Sequence, residues 1–355
     1  MSDLPHHICD DRNPPFADEA SVRNYVKRIE SIARNYEFAS FTVGTLLKLD
    51  LPQDQVADVK RNLNRRVALG VYEILPDREP MTEKSDVAFL LHYPGRWVDV
   101  IPSPLYIYGR YLKHARDLPH ARWLCMKCRG KGCNKCDGKG KVFESSVEEI
   151  IAEPLLEAFG AEASKMHATG RQDVDVRMLG GGRPFAVELV RPRKRTADLA
   201  LLQEKINRSS RAVAVRELRT ASREIVRKLD TARADKTYRA TVAAARPVNA
   251  AALAKLEQLS GTIIHQRTPQ RVAHRRADKV RDRGIRDLSA RPTADSVTSD
   301  TFELEMRAES GTYVKEMISG DDGRTRPSVA EVLGMKCVCR ELDVIDVHFD
   351  PYSDA

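Results

Sequence analysis

Gly170-Arg171-Gln172-Asp173-Val174-Asp175-Val176-Arg177-Met178-Leu179-Gly180-Gly181-Gly182-Arg183-Pro184-Phe185 is the stretch on which the fold depends. Val174, Val176 and Met178 alternate with polar residues, the period of a half-buried strand. Three consecutive glycines then let the chain reverse, and Phe185, Val187 and Leu189 alternate on the far side. This pattern predicts a β-hairpin with Asp173 at its entrance. Acidic residues beside arginines at such a junction are placed to act on a substrate, although a solvated salt-bridge ladder explains alternating Asp and Arg equally well. Period two sets Asp175 on the same strand face as Asp173, where it competes for the central role or pairs with Arg177 or Arg171.

Working outward, residues 197–207 and 220–229 read as helices, and 236–243, 302–308 and 342–349 as strands, the last closing the sheet. Upstream, Ser146 and Glu149 form a capping box for a helix ending at Gly160, which Pro154 should kink or shorten. A break falls at 102–104, followed by a segment dense in tyrosine (Tyr106, Tyr108, Tyr111). Before it, helices are expected over 21–36 and 54–69 and short strands over 38–43, 87–92 and 97–101, with Gly44 ending the first. The expected class is α+β: a smaller N-terminal α/β domain over 1–101, and a domain over 102–355 with a mixed or antiparallel central sheet.

The chain's 355 residues exceed one small module, and 42% hydrophobic content supplies a sizeable core. No apolar run approaches the ~18 residues of a membrane span. With a polar start and no signal-like core, the expectation is a soluble, cytoplasmic protein. Lys+Arg 59 against Asp+Glu 51 leaves a formal charge of +8, which suits a polyanionic partner. Two basic runs concentrate it, 122–141 and 271–286, each with seven Lys/Arg. One such run is usually a solvated face; two in a basic chain shift the reading toward nucleic acid.

Seven cysteines, an odd count, argue against a disulfide framework. Cys125-x2-Cys128-x4-Cys133-x2-Cys136 pairs two CxxC turns, each of which faces two thiolates toward one ion. A structural Zn²⁺ within a knuckle over 122–141 is the expectation, with redox or free-thiol roles as the competing reading. Four thiolates leave no open coordination position, so the metal should build a loop and perform no chemistry. Cys9 with His6 and His7 offers ligands near the start but does not define a site. Cys337 and Cys339 read as core packing.

Set against known families, the His167–Phe185 block, His167-Ala168-x-Gly170-Arg171-x-Asp173-Val174-Asp175-Val176-Arg177-Met178-Leu179-Gly180 and then Gly182-Arg183-Pro184-Phe185, resembles the catalytic motif of the "Pus ten" tRNA pseudouridine synthases. Further blocks agree in order. They are Tyr106-Ile107-Tyr108-Gly109-Arg110, Lys236-Thr237-Tyr238-Arg239-Ala240, Thr268-Pro269-x-Arg271-Val272, Gly311-Thr312-Tyr313-Val314-Lys315-Glu316, Gly320-Asp321-x-Gly323-Arg324-Thr325 and Glu341-Leu342-Asp343-Val344. The resemblance covers about residues 102 to 350, and the first hundred residues resemble a THUMP-like accessory RNA-binding region.

The resemblance implies an isomerase that converts uridine to pseudouridine in the tRNA T loop, at uridine 54, uridine 55 or both. It implies no organic cofactor. It makes Asp173 the essential carboxylate, acting on C1′ or on the C2′ proton, and places Lys315 beside it. Tyr238 would stack on the uracil, Tyr313 and Leu342 would line the pocket, and Arg171 would enter the gap left by the flipped base. The cysteine loop would be an RNA-contacting "forefinger", and 318–333, with Arg324, a "thumb". The competing classes are a non-catalytic zinc-containing tRNA-binding protein and, more distantly, a metal-dependent nuclease using Asp173 and Asp175.

Overall fold

A computed structural model describes residues 18–48, 52–170, 173–293 and 298–353. His6, His7, Cys9 and Arg171 lie outside these, and so do the readings placed on them. The chain forms two compact units. The first comprises Met1–Pro104 with Ala158–Ala163 and Val190–Ala197; the second comprises Leu105–Glu157, Ser164–Leu189 and Asp198–Ala355. Among the described residues no helix is long and apolar enough to cross a membrane.

In the first unit, α1 (Glu19–Ala33) starts at Asp18, whose carboxylate accepts the Ser21 N–H at 2.6 Å. Its apolar residues recur every three or four positions, so Tyr25 and Ile29 are fully buried. They pack with Phe41 of β1 (Ser40–Leu47), with Leu63 and Val67 of α2 (Gln53–Ile74) and with Phe89 of β3 (Val87–Tyr93). β2 (Glu79–Pro80) and β4 (Trp97–Pro102) complete a sheet of order β2-β1-β3-β4. β1 runs parallel to both its neighbours, and β4 is antiparallel to β3. Gly44 does not end β1, because pairing with β3 continues through Leu47.

The second unit is built on a ten-stranded sheet. Its elements run β5 (Leu105–Lys113), α3 (Val147–Phe159), β6 (Ala163–Ala168), β7 (Arg177–Val190), α4 (Leu199–Ser209), β8 (Val213–Ala221), α5 (Arg223–Thr231), β9 (Lys236–Asn249), α6 (Ala250–Ala254) and β10 (Ile263–Arg267). They continue with β11 (Val280–Pro292), β12 (Thr298–Ala308), α7 (Val314–Ser319), β13 (Thr325–Arg326), α8 (Val329–Leu333) and β14 (Cys337–Val347). The strand order is β13-β10-β11-β12-β9-β14-β7-β5-β8, with β6 on β7. β14 is antiparallel to β9 and parallel to β7, so the sheet is mixed, as the α+β reading expected.

The hairpin reading of residues 173–189 is corrected. β7 is one strand whose pairing with β5 is interrupted at the glycines, Tyr111 facing Arg183 and Lys113 facing Met178, and residues 173–176 form a turn before it, closed by the Val176 N–H on the Asp173 carbonyl at 3.3 Å. The glycines serve close approach instead of reversal. A Cβ on Gly180, whose φ is +53°, would lie 1.7 Å from the Ile345 carbonyl oxygen of β14. Pro154 does not shorten α3 either, which continues to Phe159 and is capped by Ser146, whose Oγ accepts the Glu149 N–H while donating to its carboxylate.

Candidate active site

The turn carrying Asp173 is gripped from both flanks by buried cations. On the N-terminal side Arg183, 1% exposed, donates from Nε to the Thr169 carbonyl at 3.0 Å and from Nη2 to the Gly170 carbonyl. Its Nη1 donates to the Tyr111 hydroxyl at 2.8 Å. On the C-terminal side Lys113, also 1% exposed, donates to the carbonyls of Val174 at 2.6 Å and Leu118 at 3.0 Å. Burial pulls the Lys113 ammonium down to about 8. Behind them His120 stacks on Tyr111 and shares a 3.2 Å hydrogen bond with its hydroxyl. Burial, with Arg183 and Lys113 nearby, drops that imidazole to about 3, so it stays neutral.

Two further cations face the carboxylates. Arg271 Nη1 lies 3.3 Å from Asp173 Oδ2 and Lys315 Nζ 4.0 Å from the same oxygen. Lys315 is nearer to Asp175, at 2.6 Å. Burial by itself would raise the Asp175 carboxyl, but the Lys315 hydrogen bond and charge outweigh it and hold it below its usual value. Lys315 sits in the helix α7 and not in a strand, and Asp175 pairs with it instead of with Arg177. Arg177 is taken by Asp343 in a two-pronged contact of 2.9 and 2.6 Å. Asp173 and Asp175 share Lys315 because the turn brings them round to it, not because a strand aligns them.

Asp173 and Lys315 open on a cavity of about 340 Å³, at the small end of the ~300–1,000 Å³ usual for ligand clefts. Tyr238 of β9 lines it, cross-strand from Val344 of β14, and Leu342 lies two residues along. Tyr313 also lines it, its backbone fixed by Gln266, whose amide accepts the Tyr313 N–H at 2.9 Å and donates to the Tyr313 carbonyl at 3.0 Å. Burial pushes the Tyr238 phenol well above its usual value, so it is protonated and neutral. The cavity joins an anionic carboxylate, an aromatic and aliphatic lining and a cationic rim, which suits a planar, polar ring.

Arg324 is not part of this lining. Its guanidinium donates to the Thr268 carbonyl from Nε and Nη2 and pairs with Asp278 at 2.9 Å. The lining also holds residues to which sequence reasoning gave no pocket role. Arg271 and Lys236 lay inside quoted blocks without assigned roles, and Arg276 reaches the Tyr313 hydroxyl at 3.2 Å. Trp123 comes from the cysteine loop, two residues before Cys125, and packs edge-on against Phe143 with ring centres 5.3 Å apart. Nothing in a lone tryptophan beside a CxxC turn indicates that placement.

The four cysteines converge. The sulfurs of Cys125, Cys128, Cys133 and Cys136 all lie within 4.8 Å of one another, the only such group among the described residues. Three of the separations are 3.9, 3.7 and 3.7 Å, close to the ~3.8 Å that tetrahedral Zn–S bonds of ~2.3 Å require. Backbone N–H groups of Cys133 and Gly140 point at Cys136 Sγ at 3.3 and 3.2 Å, as a thiolate would demand. The donor set could hold one soft metal ion.

A carboxylate set among cations at a mixed α+β sheet, above a ring-sized cavity, is the candidate catalytic cleft of an enzyme. A family model described as "Pus10, C-terminal" matches residues 106–348. The tRNA pseudouridine synthase Pus10 of Methanothermobacter marburgensis is 42% identical, covering 93% of this chain and 83% of its own length. That of Archaeoglobus fulgidus is 41% identical, covering 92% of both. A solved Cbf5–Nop10–Gar1 complex matches 67% of this chain and 48% of its own at 16% identity, with a TM-score of 0.37, too loose to carry the fold. The chain belongs to the Pus10 family of pseudouridine synthases, which are isomerases.

Proposed function

We propose that this protein isomerises uridine to pseudouridine in the T loop of tRNA, with Asp173 as the essential carboxylate. The reading is carried by one observation: Asp173 lies between Arg271 and Lys315 on a cavity lined by Tyr238, in a chain of the Pus10 family. The reaction breaks the N1–C1′ bond, turns the uracil while it stays bound, and joins C5 to C1′; C5 gives up a proton and N1 gains one, so no external reagent is consumed. An ionised Asp173 supplies the attacking oxygen or the base. Arg271 and Lys315 stand beside it at 3.3 and 4.0 Å, while Tyr238 offers a face to the base. The target base must leave its stack, at a cost of a few kcal/mol that stacking and backbone contacts offset.

Cys125, Cys128, Cys133 and Cys136 fit a structural Zn²⁺, which would rigidify the loop and leave no open position for substrate. The exposed cations of that loop, among them Lys127, Arg129 and Lys131, suit tRNA phosphates. The first unit is read as the THUMP-like accessory RNA-binding region. It offers a half-exposed Trp97 stacked on His92 at 4.8 Å, with Lys48 5.9 Å from its ring. The test is release of label from a tRNA transcript carrying 5-tritiated uridine. The protein should release it without added cofactor, and Asp173→Asn should release none; release by that variant at the parental rate overturns the assignment.

A further inference from the structure

Among the described residues four cations line the cavity, and three of them are committed. Arg271 is bound to Asp173 and to Glu316, the latter at 2.6 Å; Lys315 is bound to Asp175; Arg276 meets the Tyr313 hydroxyl. Lys236, the first residue of β9, is different. It is 7% exposed, lines the same cavity as Asp173 and Tyr238, and among the described residues its Nζ has neither a hydrogen-bond acceptor nor a carboxylate within 4.0 Å. Gly170, in the segment leading to Asp173, keeps the space beside that amine open: a Cβ there would come within 3.2 Å of Nζ.

Burying a cation with no partner costs several kcal/mol, and replacement by an apolar residue is the usual stabilising remedy. Desolvation, followed by the charge of Arg183, pulls the amine down to about 7, so it carries its proton only half the time at neutral pH. This amine lines the same cavity of about 340 Å³ as Asp173, where the flipped uridine would bring its base. An arrangement this unfavourable in the empty cavity becomes favourable when an anion enters it.

We infer that Lys236 is a catalytic residue that meets the negative charge of the detached uracil. The inference rests on the function proposed above. When N1–C1′ breaks, the bonding pair stays on N1, and the resulting uracil anion spreads its charge over N1, O2 and O4. Arg271 and Lys315 are already engaged by Asp173, Glu316 and Asp175, leaving the Lys236 ammonium to face that anion. Two residues along the strand Tyr238 presents its ring, so one strand supplies both stacking and charge. The titratable groups facing the amine across the cavity are Asp173, Tyr238, Tyr313, Arg271, Arg276 and Lys315, with Arg183 behind it.

The test compares two tRNA substrates, one with uridine and one with 5-fluorouridine at the target. Fluorine makes the detached base a more stable anion that leans less on a cation. Lys236→Met should slow single-turnover cleavage of the uridine bond by about 10²–10³-fold, the loss typical of one removed charge-stabilising donor. The 5-fluorouridine substrate should be slowed at least about tenfold less, with tRNA affinity nearly unchanged. Lys236→Gln, which retains a neutral donor, should show the same imbalance, and Lys236→Arg should recover part of the uridine rate. Equal slowing of both substrates in the Met and Gln variants, an unchanged uridine rate, or a loss confined to affinity overturns the inference. If the parent protein forms no pseudouridine at all, the proposed function fails instead.

Discussion

Replacing Lys113 with methionine separates what holds the site from what holds the fold. The side chain is 1% exposed and donates to the carbonyls of Val174 and Leu118, the first of them adjacent to Asp173 in the turn. Folding lowers its pKa from 10.5 to about 8, a cost of about 3 kcal/mol for keeping the ammonium charged inside at pH 7. Methionine removes that cost but orphans two carbonyls, at about 1–3 kcal/mol each. The terms largely offset, so a urea melt of Lys113→Met should lie between about 1 kcal/mol more stable and about 3 kcal/mol less stable. The turn, however, loses its C-terminal anchor. A displacement of about 1 Å in a reacting group costs up to about 100-fold in rate, so turnover should fall about 10- to 100-fold while tRNA affinity holds. Parental turnover in a folded Lys113→Met protein would refute the claim that buried cations position Asp173.

Lys236→Met should raise stability, because a charge held at about 7 against 10.5 is unfavourable in the fold. The sign is fixed by the depressed pKa: the penalty in the parent is complete below pH 7 and disappears as pH rises toward 10.5. The melting-temperature gap between variant and parent should therefore be widest at pH 6 and close by about pH 10. Asp175→Asn leaves Asp173 with Arg271 and frees Lys315 from a partly exposed pair worth about 1 kcal/mol or less; kinetics should show a far smaller loss than for Asp173→Asn. Chelation or Cys133→Ser should weaken tRNA binding and also slow turnover, because Trp123 belongs to the cavity. Removing the exposed cations Lys127, Arg129 and Lys131 should flatten the log K against log salt plot by roughly one unit per lost phosphate contact.

Periodicity carried much of the fold. The three-and-four spacing of Val22, Tyr25 and Ile29 marked α1, and alternation marked the start of β9 and the end of β12. It failed where glycine had two meanings: three in a row read as a reversal, but here they let β14 and β7 approach inside a continuous strand. In the site, the quoted blocks put Asp173, Lys315, Tyr238, Tyr313 and Leu342 in one list, and the fold brings them onto one cavity. The Asp175–Lys315 pairing was illegible because it depends on a turn and a helix 140 residues apart. Trp123 and Lys236 were illegible for another reason. Their significance lies in what surrounds them, a place on the Asp173 cavity for Trp123 and, for Lys236, burial without a partner among the described residues, and neither leaves a trace in spacing.

The most direct measurement is a position-resolved pseudouridine map of an unmodified tRNA transcript after incubation with the protein and, in parallel, with Asp173→Asn. The account predicts conversion confined to T-loop uridine with the parent protein, and none with the variant despite equal tRNA binding. Conversion by Asp173→Asn at the parental rate, or a parent protein that binds the tRNA and leaves every uridine unchanged, would contradict it.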